Sequence, residues 1–154
     1  MTFARLIAGG FGAGSAPRAP GTAGSLLAVA LGWWLMWVWP AAMPWTLAVA
    51  AATATMGGVW AISAARIEGD PGWVVIDEVA GQWIAMLGLA RPTWQGLLTA
   101  FVLFRLLDIA KPGPVGWADR QGGAIGVMAD DVIAGAIVAV ALWLVLLWRP
   151  HLLG

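Results

Sequence analysis

The chain has 154 residues, 61% of them hydrophobic, with a mean hydropathy of +0.84 and eight basic residues balanced by eight acidic ones. Such a composition gives one integral membrane domain over residues 1–154 rather than a soluble globule. Zero net charge excludes a nucleic-acid surface, which needs a clustered excess of Lys and Arg, and the absence of Cys excludes disulfides, thiolate nucleophiles and Cys-based metal sites.

Residues 1–23 read MTFARLIAGGFGAGSAPRAPGTA and lack the apolar h-region of a secretory signal, so the segment is expected to be retained. Gly9, Gly10, Gly12, Gly14, Pro17, Pro20 and Gly21 argue against a regular helix there and leave backbone N–H groups free to face an anion. A helix expected to start between Thr22 and Ser25 would aim its positive end at the same place. No Gly-Lys-Ser/Thr closes this loop, so it is not a Walker A loop.

The first apolar run, residues 24–39, covers about 24 Å at ~1.5 Å per residue and is closed by Pro40 and Pro44. The second, residues 45–65, is long enough to span a bilayer and is rich in Ala and Gly, whose small faces let helices approach closely in lipid. The third, residues 74–90, is interrupted by Asp77, Glu78 and Gln82 near its start. Two adjacent acids at a membrane boundary need water, a cation or a metal, because burying them unpaired is costly. The fourth, residues 93–110, carries Arg105 and Asp108 three apart, with Lys111 three further on, so all three share a face if the helix continues. Pro112 and Pro114 are expected to end it. A Gly-rich link then leads past Asp119, Arg120, Asp130 and Asp131 into a last run at residues 132–148. Charge is scarce, and residues 104–135 hold seven of the sixteen charged side chains.

These runs predict an all-α, polytopic membrane bundle of four to five apolar segments. If each run crosses, or the third and fourth form a returning hairpin, the N-terminal loop, residues 66–78 and residues 108–131 converge on one side. That side holds Arg5, Arg18, Arg66, Arg105, Lys111 and Arg120 against Arg91 and Arg149 on the other, which makes it cytoplasmic by the positive-inside rule. The opposite side collects Trp33, Trp34, Trp37, Trp39, Trp45, Trp94, Trp143 and Trp148 as an interfacial belt.

Asp77, Glu78, Asp108, Asp130 and Asp131 are hard oxygen ligands suited to Mg²⁺, and Arg18, Arg105, Lys111 and Arg120 suit phosphate oxygens. Together they fit metal-assisted phosphoryl chemistry at a cytoplasmic membrane face. A cation or solute carrier also wants carboxylates, but would place some near segment centres rather than at boundaries.

The motifs GFGAGSAPRAPGTAGS (residues 10–25), VIDEVAGQWIA (75–85) and FRLLDIAKPGPVGWADR with GVMADDVIAG (104–135) make the chain resemble the bacterial phosphatidylglycerophosphatase A family. The resemblance implies a Mg²⁺-dependent lipid phosphatase of the bacterial inner membrane that converts phosphatidylglycerophosphate to phosphatidylglycerol. It implies metal ligation by Asp77, Glu78, Asp130 and Asp131, and substrate binding by Arg18, Thr22, Ser25, Arg105, Lys111 and Arg120. Asp108 stays open between metal ligand, general base, covalent nucleophile and the partner that orients Arg105. One departure is visible, Ala124 standing in the Gly-rich link where relatives are expected to carry glycine.

Overall fold

A computed structural model describes residues 2–149 and 151–153, and no strand occurs among them. A short helix α1 (Phe3–Ala8) leads into a 3₁₀ segment over Gly10–Ser15. The long elements follow as α2 (Pro20–Val38), α3 (Trp45–Ala64), α4 (Ile76–Met86), α5 (Trp94–Ala110), the one-and-a-half-turn α6 (Pro114–Asp119) and α7 (Gly123–Trp148).

Sequence punctuation explains most boundaries. Pro20 occupies the first turn of α2, where its missing N–H costs nothing, so the helix starts at Pro20 rather than at Thr22–Ser25. Thr93 caps α5, its Oγ1 accepting from the Gly96 N–H at 3.1 Å. Lys111 ends α5 in the left-handed region at φ 45°, ahead of Pro112. The start of α7 differs most from expectation. Gly122 and Gly123, at φ 68° and 62°, turn the chain directly into helix, so the link is helical from residue 123 and not a loop to 131. Burial of Gly126, Val127 and Met128 holds these extra turns in place.

Among the described residues three helices, α2, α3 and α7, are long and apolar enough to cross a membrane. With 11 residues α4 reaches only about 16 Å at ~1.5 Å per residue, far short of a span, while the 17 residues of α5 stand at the low end of the spanning range of about 17–25. They form a helical hairpin turned through residues 87–93. One end of the bundle is drawn together there: Met43 and Pro44, Leu87 to Ala90, and Trp143, Leu146 and Leu147 line one shared hollow. The eight tryptophans expected as a belt are all exposed, at the helix ends that point to that pole.

At the centre stands α4, packed by α2, α3, α5 and α7, with Ala80, Gln82, Ala85 and Met86 fully buried. Its contact with α7 is backbone against backbone. A Cβ on Gly81 would lie 2.6 Å from the Asp131 carbonyl oxygen, one on Gly135 2.3 Å from that of Gly81, and one on Gly88 2.4 Å from that of Ala139. Without a hydrophobic drive between helices in lipid, such close approach supplies the packing attraction.

Candidate active site

The pole opposite the tryptophans carries the charge. Asp77 and Glu78 are the second and third residues of α4, where carboxylates oppose the positive end of the helix dipole. The turn before them is tied down by the Val75 N–H, which donates to the Ala8 carbonyl at 2.9 Å. Because Gly81 lets α7 press against α4, Asp131 arrives beside this first turn. Asp77, Glu78 and Asp131 each offer a carboxylate oxygen within 4.8 Å of the other two. Asp77 and Asp131 are only 5% and 2% exposed. One oxygen of each of the three is buried with no hydrogen-bond partner among the described residues. At that spacing each charged pair repels by roughly 3–4 kcal/mol at an effective dielectric of about 20. Bound protons or a cation must offset this, and an all-oxygen, partly unsatisfied donor set fits a hard divalent ion.

The cationic wall comes from α5. Arg105 lies with its Nη1 3.7 Å from Glu78 Oε1 and hydrogen-bonded to Asp108 Oδ2 three residues on, while its Nε is buried without a partner among the described residues. The first turn of α2 closes over this pair. A Cβ on Gly21 would sit 2.1 Å from Glu78 Oε1 and 3.2 Å from Arg105 Nη1, so any larger residue there must displace the Glu78–Arg105 pair. The α2 N-terminus therefore faces the carboxylate cluster, as the convergence of the three charged stretches anticipates.

Lys111 departs from the expected geometry. Its left-handed backbone takes it off the Arg105–Asp108 face of α5, and its Nζ donates instead to Asp130 Oδ2 at 2.6 Å and to Asp119 Oδ1. Burial alone would lower the ammonium pKa, but the hydrogen bonds and charges of Asp119 and Asp130 outweigh it and the pKa ends raised. Lys111 is therefore a fixed cation. Asp130 spends one oxygen on it and keeps the other buried and unpartnered, standing outside the close trio of Asp77, Glu78 and Asp131. Both α7 acids lie within the helix, at its eighth and ninth residues, rather than ahead of it.

The remaining expected site residues are less engaged. Arg18 and Arg120 are exposed and form no salt bridge among the described residues. Thr22 is half-buried in the first turn of α2. Ser25 is fully buried, and its hydroxyl donates to the Gly21 carbonyl of its own helix at 3.0 Å.

Two polar side chains escaped the sequence-based assignment of the site. Gln82, one turn beyond Glu78, is fully buried with both amide atoms unpartnered among the described residues; its one signal in sequence is the four-residue spacing that puts it on the Glu78 face of the helix. Asp70, before α4, has its carboxyl pKa raised, by desolvation first and then by the Asp119 and Asp108 charges, against the lowering effect of Lys111. It therefore belongs to the same field of charges.

The phosphatidylglycerophosphatase A family profile matches residues 6–146. A Bacteroides thetaiotaomicron relative, named provisionally a phosphatidylinositol-3-phosphatase, is 41% identical over 91% of this chain and 94% of its own length. The phosphatidylglycerophosphatase A proteins of Escherichia coli K12 and Haemophilus influenzae Rd are 39% and 31% identical, over 91% and 93% of this chain and 81% and 88% of their own lengths. No solved structure matches. The chain belongs to the phosphatidylglycerophosphatase A family.

Proposed function

We propose that the protein hydrolyses the terminal phosphomonoester of phosphatidylglycerophosphate, giving phosphatidylglycerol and inorganic phosphate, in a Mg²⁺-dependent reaction at the cytoplasmic face of a bacterial inner membrane. The observation that carries this is the buried trio Asp77, Glu78 and Asp131 facing Arg105 at one pole of an apolar bundle. Asp77, Glu78 and Asp131 would hold the ion, with Asp130 beside them. When bound, it supplies neutralisation of phosphate oxygens and a more acidic water.

The chain's own groups supply the rest. The free Nε of Arg105 is a buried donor for a phosphate oxygen, and Asp108 and Glu78 fix its guanidinium plane. Lys111, held by Asp119 and Asp130, adds a permanent positive charge at the rim. The α2 N-terminus favours the anionic headgroup. Arg18, Arg120 and Thr22 are assigned to the headgroup approach through the family motif, and Ser25, whose hydroxyl donates to the Gly21 carbonyl, to shaping the first turn of α2 behind it. In the net reaction a water bonds its oxygen to phosphorus and gives up one proton, the phosphorus–glycerol oxygen bond breaks, and the glycerol oxygen takes up one proton, so that no proton is gained or lost.

The basic residues of the site-bearing pole, against Arg91 and Arg149 at the other, support the cytoplasmic orientation. A carrier reading is less supported. The α7 acids sit in the first third of a 26-residue helix, not at its centre, and no charged residue follows them before Arg149.

The test is phosphate release by the purified protein from phosphatidylglycerophosphate, with phosphatidylinositol 3-phosphate in a parallel arm because of the Bacteroides relative's name. Release is expected with Mg²⁺, lost in EDTA and restored by Mg²⁺. Asp131→Asn and Asp77→Asn are expected to lose activity by on the order of 10²–10³-fold or more while inserting normally. No release from either lipid would overturn the reading.

A further inference from the structure

Between α2 and α3 lies an apolar slot of about 420 Å³, within the usual size of a small-molecule pocket. The two helices barely touch, although α3 turns Ala50, Ala54 and Gly57 toward α2. The small side chains leave a furrow there instead of a contact, and a Cβ on Gly57 would meet nothing within 4 Å. From Ala50 to Gly57 the furrow runs about 10 Å at ~1.5 Å per residue. Its floor is α4, through Ile76 and Val79. Ile76 is the first residue of α4 and adjoins Asp77 in sequence, so the floor of the slot begins at the pole that carries the carboxylates, whose side chains lie on another face of α4. At that end stands Phe11, 69% exposed and held in the left-handed region at φ 54°.

Phe11, Leu27 and Leu31 also wall a second, more open hollow of about 690 Å³, between the Ala23–Leu27–Leu31 face of α2 and the segment from Gly10 to Ala16. Two apolar hollows thus flank one ridge, both beginning beside the polar pole and running along membrane-spanning helices. No charged side chain lines either one, and the lining of the slot between α2 and α3 is almost wholly apolar, which favours an apolar occupant there. Paired apolar tracks that diverge from a single polar site match the shape of a lipid with two fatty chains.

We infer that the slot between α2 and α3 binds one acyl chain of the substrate phospholipid, with its second chain across the Phe11–Leu27–Leu31 ridge. The inference rests on the lipid phosphatase reading and adds how the substrate is held: the chains are gripped, not merely dissolved in the surrounding bilayer.

The experiment compares KM and kcat for a dioleoyl and a dibutyryl form of phosphatidylglycerophosphate. Gly57→Leu fills the slot and is expected to raise KM for the dioleoyl substrate about tenfold, the equivalent of displacing roughly two methylenes, with kcat and the dibutyryl constants unchanged. Met56→Leu, on the exposed face of α3, is expected to change neither. A phospholipid carrying a photoreactive acyl chain gives a second measurement in the wild-type protein, with labelling expected at Leu31 or Thr53. The same KM in folded Gly57→Leu, or labelling only elsewhere, would overturn the inference. So would a change of oligomeric state in Gly57→Leu with KM unaltered, which would make the slot an interface between copies. Acyl labelling at the slot without phosphate release by the wild type would instead sink the phosphatase reading and leave the slot standing.

Discussion

Two helix pairs in this protein use the same small residues to opposite ends. Where α4 meets α7, Gly81, Gly88 and Gly135 lie opposite backbone atoms, and the chains touch so closely that no side chain fits between them. Where α3 faces α2, Ala50, Ala54 and Gly57 line a gap. Small residues permit close approach but do not produce it. Contact follows only where both helices present complementary surfaces, and the α2 side offers Leu27 and Leu31 instead of a matching groove. The tight pair also carries Asp77 and Glu78 on one helix and Asp131 on the other, so rigidity coincides with the ligand cluster.

The sharpest way to break this contrast is Gly135→Val. Its Cβ must displace the Gly81 backbone, so a loss of about 3 kcal/mol is expected in thermal unfolding in detergent. Phosphatase activity should fall with it, because α7 then carries Asp131 away from Asp77. A smaller effect is expected from Gly58→Ala on α3, whose Cβ meets the Met128 thioether at 2.5 Å. A flexible side-chain end gives way more cheaply than backbone, and about 1 kcal/mol is the expected cost by the same measurement. The smallest change, of opposite sign, belongs to the next glycine along. Gly57→Ala meets no neighbour and should raise stability by up to about 1 kcal/mol through helix propensity. Equal destabilisation by all three substitutions would show that the slot closes in solution and that the two helix pairs do not differ.

The sequence carried much of this, unevenly. Helices α3 and α5 end within a residue of their expected bounds, because Pro44, Thr93 and Pro112 are strong local signals. The start of α7 was misplaced by nine residues, since GGAIG reads as a linker and only the tertiary burial of Gly126 to Met128 makes it helix. Likewise α6 was invisible, being six residues between prolines and glycines. In so apolar a chain any charge stands out, which is why Asp77, Glu78, Arg105, Asp108, Lys111 and Asp131 were legible. Gln82 was not, because a neutral amide gives no such signal. The pairing of Lys111 with Asp130 depends on one left-handed residue and on contact across 19 positions, which no helical spacing encodes.

The length of α7 has a further consequence. At ~1.5 Å per residue its 26 residues reach about 39 Å, some 9 Å beyond a ~30 Å hydrocarbon layer. Counted from Trp148 at the aromatic end, Asp131 stands about 26 Å up the helix, just below the opposite headgroup plane. One continuous rod thus sets the depth of the carboxylates against an anchor on the far side. A thicker host bilayer would bring the phosphate plane of the lipid away from the acids, and a thinner one would bring it past them. Turnover should therefore track bilayer thickness in vesicles of graded chain length, with an optimum where anchor and acids both sit at their own interfaces.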